Sequence, residues 1–345
     1  MRRVLIIGPN FFYFNDSIAD AFRRLGWEAK VCAYDSPVHP YGFYNKVVYK
    51  LSRKREALRD KGHGTFSDQV KDVYEKHRPD LVFIVNGDAL LPSVTEMMSE
   101  KSVVAVWMFD SVSKYPLMKR NLPYAKAVFC YECSDMEVLR EECGVSASFL
   151  PQAADTGLYR RLPDERKLYD IVFAGDIWQS EKRQRILGKV VERFGDRKIL
   201  IWGVYKPWYK SLWKWITRER RDVYMNRSTS PDVLNLCYNR AKVVLNIHNE
   251  QQVYGANPKV YEISASGAYQ ICDSNPYIDG LFPNGEVALY HTDEECLELI
   301  ERRLAAPSDE YDAAAYELIA NEHTFEKRIE TVLRSLDMWN EISES

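Results

Sequence analysis

The chain has 345 residues, 46% of them hydrophobic and 28% charged, with a net charge of −3 and a pI near 6.1. That length exceeds one typical domain, and the apolar fraction can fill two cores. The slight acidity argues against a nucleic-acid partner, and no apolar run approaches the roughly 20 residues that span a bilayer.

In chain order, the start, Met-Arg-Arg-Val-Leu-Ile-Ile-Gly-Pro-Asn, reads as a first buried strand and not as a signal-peptide core. Expected strands cover 4–7, 28–33, 81–85, 103–108, 127–131 and 148–150. Expected helices cover 17–25, 66–76, 92–99 and 135–143. Strand–helix alternation of this kind predicts an α/β fold with a parallel sheet covered on both faces. Gly8-Pro9-Asn10 gives a turn but no G-x-G-x-x-G cradle, which moves nucleotide binding to the second half. The seven cysteines, an odd number, read as reduced thiols of a cytoplasmic protein. Cys130 and Cys133 form one C-x-x-C near Cys143. A redox dithiol is one reading; a zinc site lacks an evident fourth ligand, and filler is the alternative.

Residues 151–168 carry prolines and charges with little periodicity, which predicts a linker at 156–168 between a domain at 1–155 and one at 169–322. The alternation then restarts. Strands are expected at 169–174, 198–202, 243–247, 269–273 and 287–290, and helices at 181–194, 230–241, 258–266, 293–305 and 325–339. Ligands of such sheets sit beyond the carboxyl ends of strands.

The stretch 243–273 is the most informative. It reads as buried strand, polar loop, helix and second buried strand. Asn257 suits an N-cap and Pro258 the first helical turn. Lys259 and Glu262 are three apart and share a helix face. A helix N-terminus favours a phosphate, Lys259 adds a charge, and Glu262 offers two acceptor oxygens one turn deeper. A nucleotide diphosphate suits that set; an ordinary capped helix with a surface ion pair is the alternative. Gly175, ending Asp-Ile-Val-Phe-Ala-Gly before Asp176, allows close backbone approach. Lys182 and Arg183 follow on a helix, either gripping pyrophosphate or lying solvated. Trp202-Gly203-Val204 ends another strand, and Trp202 is either a stacking platform for a base or core. His248 follows the strand at 243–247, where a phosphate or sugar hydroxyl can reach it.

These motifs, in order, resemble the two-Rossmann (GT-B) glycosyltransferases, and more narrowly the CgeB-like spore-maturation branch. The matching residues are Asp170 to Gly175 with Lys182 and Arg183, then Val243 to His248. Next come Asn257-Pro-Lys-Val-Tyr-Glu262 with Gly267, Leu281 to Glu286, and Tyr290. Phe149 to Asp155 resembles the family's hinge, and His323-Thr-Phe with Arg328 resembles the start of its C-terminal helix. The resemblance covers roughly 125–330 well and 1–124 weakly. It implies two Rossmann-like domains facing across a cleft, with residues 323–345 returning to the first. It also implies a nucleotide-sugar donor, on UDP or dTDP. Glu262 would hold the ribose. Lys259 and Arg183 would stabilise the leaving diphosphate, with Gly175, Asp176, Lys182, His248, Asn257, Pro258 and Val260 lining the donor site. The loop Trp202, Gly203, Val204, Tyr205 would meet the base. No metal and no cofactor beyond the donor are expected, because side chains and a helix end supply the charge and no Asp-x-Asp is seen. A nucleotide-sugar epimerase and a non-catalytic scaffold remain alternatives.

On the acceptor side, Asp110 follows a buried strand and is the candidate base if the reaction inverts, with Asp88 and Asp16 as rivals. Each is equally readable as a turn former. Finally, Lys206, Lys210, Lys214 and Arg218 form a basic stripe beside Trp208, Leu212, Trp215 and Ile216. That pattern suits a peripheral membrane contact through 205–221 and a glycan or lipid-linked acceptor, or else an insertion helix packed on the domain.

Overall fold

A computed structural model describes residues 1–10, 13–34, 55–112, 116–204, 223–250, 252–306 and 312–339. It divides into two compact units, 1–151 with 325–345 and 152–324. Each is a parallel sheet flanked by helices.

The first unit runs β1 (Arg3–Pro9), α1 (Phe14–Arg24), β2 (Glu28–Tyr34), α2 (Arg55–His77), β3 (Leu81–Val85), α3 (Pro92–Ser99), β4 (Val103–Met108), α4 (Pro116–Lys119), β5 (Ala127–Cys130), α5 (Ser134–Cys143) and β6 (Ser148–Phe149). The sheet order is β2-β1-β3-β4-β5-β6, all parallel. β3 is Leu-Val-Phe-Ile-Val with every residue buried, as a strand covered on both faces requires. α2 begins at Arg55, well before the expected start at 66. The Lys61-Gly-His-Gly64 stretch blurs the apolar period without breaking the helix. The last helix, α12 (Phe325–Ser335), belongs to this unit. Its Phe325, Ile329, Val332 and Leu333 are buried, and Phe325 meets Phe14 of α1 at 6.3 Å. Each such side chain contributes roughly 1.5–3 kcal/mol when fully buried. Arg328 fixes the helix by donating to the Pro151 carbonyl at 2.9 Å.

The second unit runs β7 (Tyr169–Ala174), α6 (Glu181–Arg193), β8 (Ile199–Trp202), α7 (Pro231–Asn239), β9 (Ala241–Asn246), α8 (Pro258–Ala265), β10 (Gln270–Asp273), α9 (Pro276–Leu281), β11 (Ala288–Tyr290), α10 (Asp293–Ala305) and α11 (Ala313–Glu322). Its sheet order is β11-β10-β9-β7-β8, again parallel. Chain direction across the sheet reverses between β7 and β9, so the loops after those two strands flank the crevice where doubly wound sheets bind ligands. Residues 156–168, expected as a linker, are bonded to this unit. Asn235 and Asn239 of α7 accept from the backbone of Arg160 (3.1 Å) and Leu162 (2.7 Å), which ties the segment to this unit. Side chains of the segment add to this: Lys167 Nζ donates to the Asn239 carbonyl at 2.9 Å and Glu165 accepts from Arg240 at 2.6 Å. α9 and α11 were not foreseen: one is short, the other an alanine-rich stretch without a clear stripe.

Candidate functional site

The turn after β7 depends on two glycines. A side chain at Gly203, where φ is +133°, would place its Cβ 1.8 Å from the Gly175 carbonyl oxygen. Gly175 N–H in turn donates to the Trp202 carbonyl at 3.0 Å. The two strand ends therefore touch backbone to backbone. Trp202 is buried, with the Arg227 guanidinium 5.5 Å over its ring, so it is core in this state and not an open stacking platform. Val204 is 40% exposed beyond it. Tyr205 and the whole segment 205–221 lie outside the described residues.

Arg183 and Lys182 are already engaged. Arg183 Nε donates to the Ile247 carbonyl and an Nη to the Asp176 carbonyl, both at 2.8 Å, so the guanidinium laces the loop after β7 to the loop after β9. Burial weakens its hold on the proton, while Asp273, Asp176 and Glu250 oppose that. Ser180 caps α6, and the Glu250 carboxylate accepts from the Lys182 N–H (2.8 Å) and the Ser180 hydroxyl (3.1 Å). The start of α6 thus holds an anion of the protein's own. Lys182 Nζ is salt-bridged to Asp273.

Asp273, missed in the sequence, is the hub. It is 4% exposed and ends β10. It accepts from the His248 N–H at 2.9 Å, His248 Nδ1 at 2.7 Å and Lys182. Burial alone would raise its pKa, but His248 and Lys182 hold it far below the usual carboxylate range. His248 is 1% exposed and its Nε2 has no partner. His248, Cys272 and Asp273 bring one ligand atom each within 4.8 Å, the one such group among the described residues. The fit to a cation is poor. The Lys182 ammonium already sits on the carboxylate, and burial pushes the Cys272 thiol well up.

The start of α8 is fastened by amides. Asn257 accepts from the Val260 N–H at 3.3 Å and donates to Asn246 Oδ1 at 2.9 Å. Asn246 donates to Gln270 at 3.2 Å, and Gln270 donates to the Val260 carbonyl and the Ser264 hydroxyl. Pro258 occupies the first turn, where no N–H is needed. One turn in, Lys259 Nζ lies 2.6 Å from Glu262 Oε2; Glu262 is 1% exposed and the Lys259 side chain 22%. The Tyr238 hydroxyl, fully buried and without a partner, has its pKa pushed well up, first by burial and then by the Glu262 charge. Glu262 with Lys259 is thus a largely buried pair, not a solvated surface one.

In the first unit, Asp110 is half-buried and accepts from the Ser111 N–H at 3.3 Å. Asp88 is buried and bonded to the Tyr34 hydroxyl. Burial raises its pKa, Tyr34 and His63 oppose, and Asp110 adds to the rise. Asp16 is exposed in the first turn of α1, the place of a helix-start acid. Burial pushes the Cys130 thiol up to about 12 and raises that of Cys133, the reverse of a reactive dithiol.

Residues 182–334 match the family described as glycosyl transferase-like. No curated protein matches the chain. Among solved structures, it is similar to sucrose-phosphate synthase from Thermosynechococcus elongatus, at TM-score 0.68 and 12% identity over 98% of this chain and 99% of that one. It is also similar to a UDP-forming trehalose-phosphate synthase from Burkholderia xenovorans, at 0.64 and 12% over 98% and 99%. Anabaena HepE in complex with UDP-glucose matches at 0.62 and 11% over 98% and 100%. At such identities the likeness is one of fold: two Rossmann-like parallel sheets of the GT-B type.

Proposed function

We propose that the protein is a glycosyltransferase of the hexosyltransferase type, from the CgeB-like branch. It moves a sugar from a nucleotide-diphosphate donor to a hydroxyl of a glycan or lipid-linked acceptor in the cytoplasm. The observation that carries this reading is the α8 start, where a capped helix N-terminus, Lys259 and a buried Glu262 stand together. The free N–H groups and Lys259 would hold the diphosphate, and Glu262 would accept from the ribose hydroxyls. As the acceptor oxygen bonds to the anomeric carbon, the bond from that carbon to the diphosphate oxygen breaks. The charge left on the diphosphate is met by Lys259 and the helix end, so the reading needs no divalent ion. In an inverting reaction the acceptor proton would pass to a carboxylate such as Asp110 or Asp88. UDP is preferred over dTDP because the HepE structure holds UDP-glucose. The basic aromatic segment 205–221 suits, by composition, a lipid-linked acceptor.

The test is incubation with UDP- and dTDP-sugars with and without glycan acceptors. Acceptor-dependent release of the nucleotide diphosphate supports transfer. An isomerised donor would indicate an epimerase, and tight binding without turnover a scaffold. Glu262→Ala is expected to weaken UDP binding by about 1.5–3 kcal/mol in calorimetry; unchanged affinity removes the proposed role.

A further inference from the structure

The second unit has a cavity at the opposite end of its sheet from the α8 start. It measures about 670 Å³, within the roughly 300–1,000 Å³ of small-molecule sites. Tyr269, Asn284, Glu286, Ala288, Arg303 and Asp312 line it, and no residue assigned to the donor does. Tyr269 immediately precedes β10, Ala288 opens β11, and Asp273 closes β10. The cavity therefore stands at the amino ends of these strands, about 13 Å of extended chain from Asp273.

Its lining carries both signs. The Arg303 guanidinium lies 4.3 Å from the centre of the Tyr269 ring. A guanidinium stacked by its face presents its N–H donors in the plane, at its edge. Glu286 accepts from the backbone and side-chain N–H groups of Asn284, at 3.0 and 2.9 Å. Asp312 accepts from the Ala315 N–H at 3.4 Å. A carboxylate has about four lone-pair sites, so both acids keep acceptor capacity. Burial raises the Asp312 pKa and Glu286 adds to the rise, while the Ala315 N–H and Arg303 oppose it; the three charged groups thus feel one another.

These charges decide the class of ligand. A cation would meet Arg303 and the positive end of α11. An anion would meet two carboxylates. A neutral polyol meets neither penalty, because its hydroxyls both give and accept hydrogen bonds. The C–H faces of a sugar ring also suit the Tyr269 ring and the methyl groups of Ala288 and Ala314.

We propose that this cavity is a second carbohydrate site, apart from the donor site, that holds a neutral segment of a glycan. Arg303 donates to the sugar hydroxyls, and Asp312 and Glu286 accept from them. The site binds and does no chemistry. It does not depend on the glycosyltransferase reading; under that reading its occupant is a part of the acceptor distant from the reacting hydroxyl.

The experiment is calorimetric titration of the full chain, with UDP present in excess, by maltotriose, cellotriose, xylotriose and tri-N-acetylchitotriose. Spermidine and inorganic phosphate serve as charged probes. At least one trisaccharide is expected to bind and the charged probes are not. Arg303→Gln should weaken the trisaccharide about tenfold, as the loss of a charged hydrogen bond does. Ala314→Trp changes an exposed helix position, removes no side-chain hydrogen bond and fills the cavity, so it should abolish trisaccharide binding. UDP affinity should stay within about twofold in both variants, and melting curves show that each is folded. Absence of trisaccharide binding by the wild-type chain overturns the proposal, as does unchanged trisaccharide affinity in folded Ala314→Trp. Spermidine or phosphate binding that Ala314→Trp removes, without any for the trisaccharides, overturns the class of ligand. A wild-type chain that binds no UDP but binds a trisaccharide that Ala314→Trp excludes would end the donor reading and leave this site standing.

Discussion

Two helix starts in the second unit, those of α6 and α8, carry the same signals in sequence: a capping residue, a lysine and a glycine-bearing turn nearby. In the structure they differ. The α6 start is filled by the Glu250 carboxylate, and its Arg183 is spent on the carbonyls of Asp176 and Ile247. The α8 start is held by uncharged amides, with its one lysine set against a buried glutamate. A positive charge near a helix end is thus not by itself a phosphate ligand. What separates the two is where the protein's own carboxylate lies: on a backbone N–H of the α6 start, but on the lysine side chain at α8.

The largest test of this contrast is Arg183→Met. It removes two hydrogen bonds from a charged donor and leaves the Ile247 and Asp176 carbonyls without it, so stability should fall by about 1.5–3 kcal/mol. UDP affinity should fall less than about threefold once folded protein is compared. A hundredfold loss of UDP affinity without a change in melting would break the contrast and return Arg183 to the diphosphate. A smaller effect is expected from Glu250→Gln. Removing a charge from a solvent-facing helix start should cost about 0.3–1 kcal/mol, less at high salt, with UDP affinity unchanged or improved. A clear loss of UDP binding would place Glu250 among the ligand contacts.

An effect of similar size that depends on pH is expected at Asp312, the N-cap of α11, which packs against α8. Burial pushes its pKa up to about 6, from 3.8, against the pull of the Ala315 N–H and Arg303. Between those values the folded chain keeps a proton that the unfolded chain has lost, so stability falls as pH rises from about 4 to 6 and is flat above. Asp312→Asn keeps a capping oxygen and removes the charge. After allowance for partial exposure it should gain about 1 kcal/mol at pH 7, roughly 2–4 °C in melting, and nothing at pH 4. Equal melting at both values would show that the carboxyl is not displaced from its ordinary range.

Periodicity made both sheets readable, because parallel strands buried on two faces are nearly pure apolar runs. It also located Asn257, Lys259 and Glu262, since a cap and a three-residue spacing are local. What it could not reach was pairing over distance. Asp273 is a lone carboxylate closing the Gln-Ile-Cys-Asp strand, and its partners stand 25 and 91 residues away. A charge at the end of a buried strand was the one available hint. Nor could spacing show that Arg183 and Lys182 have partners within the protein. In 156–168, the partners of Lys167 and Glu165 stand 72 and 75 residues away, at Asn239 and Arg240.

The amide relay from Gln270 through Asn246 to Asn257 contains nothing that titrates and no ion pair for salt to loosen. These amide contacts therefore depend less on acidity and ionic strength than the Lys259–Glu262 and Lys182–Asp273 contacts do. As salt is added, the ion pairs beside α8 should loosen before this relay does.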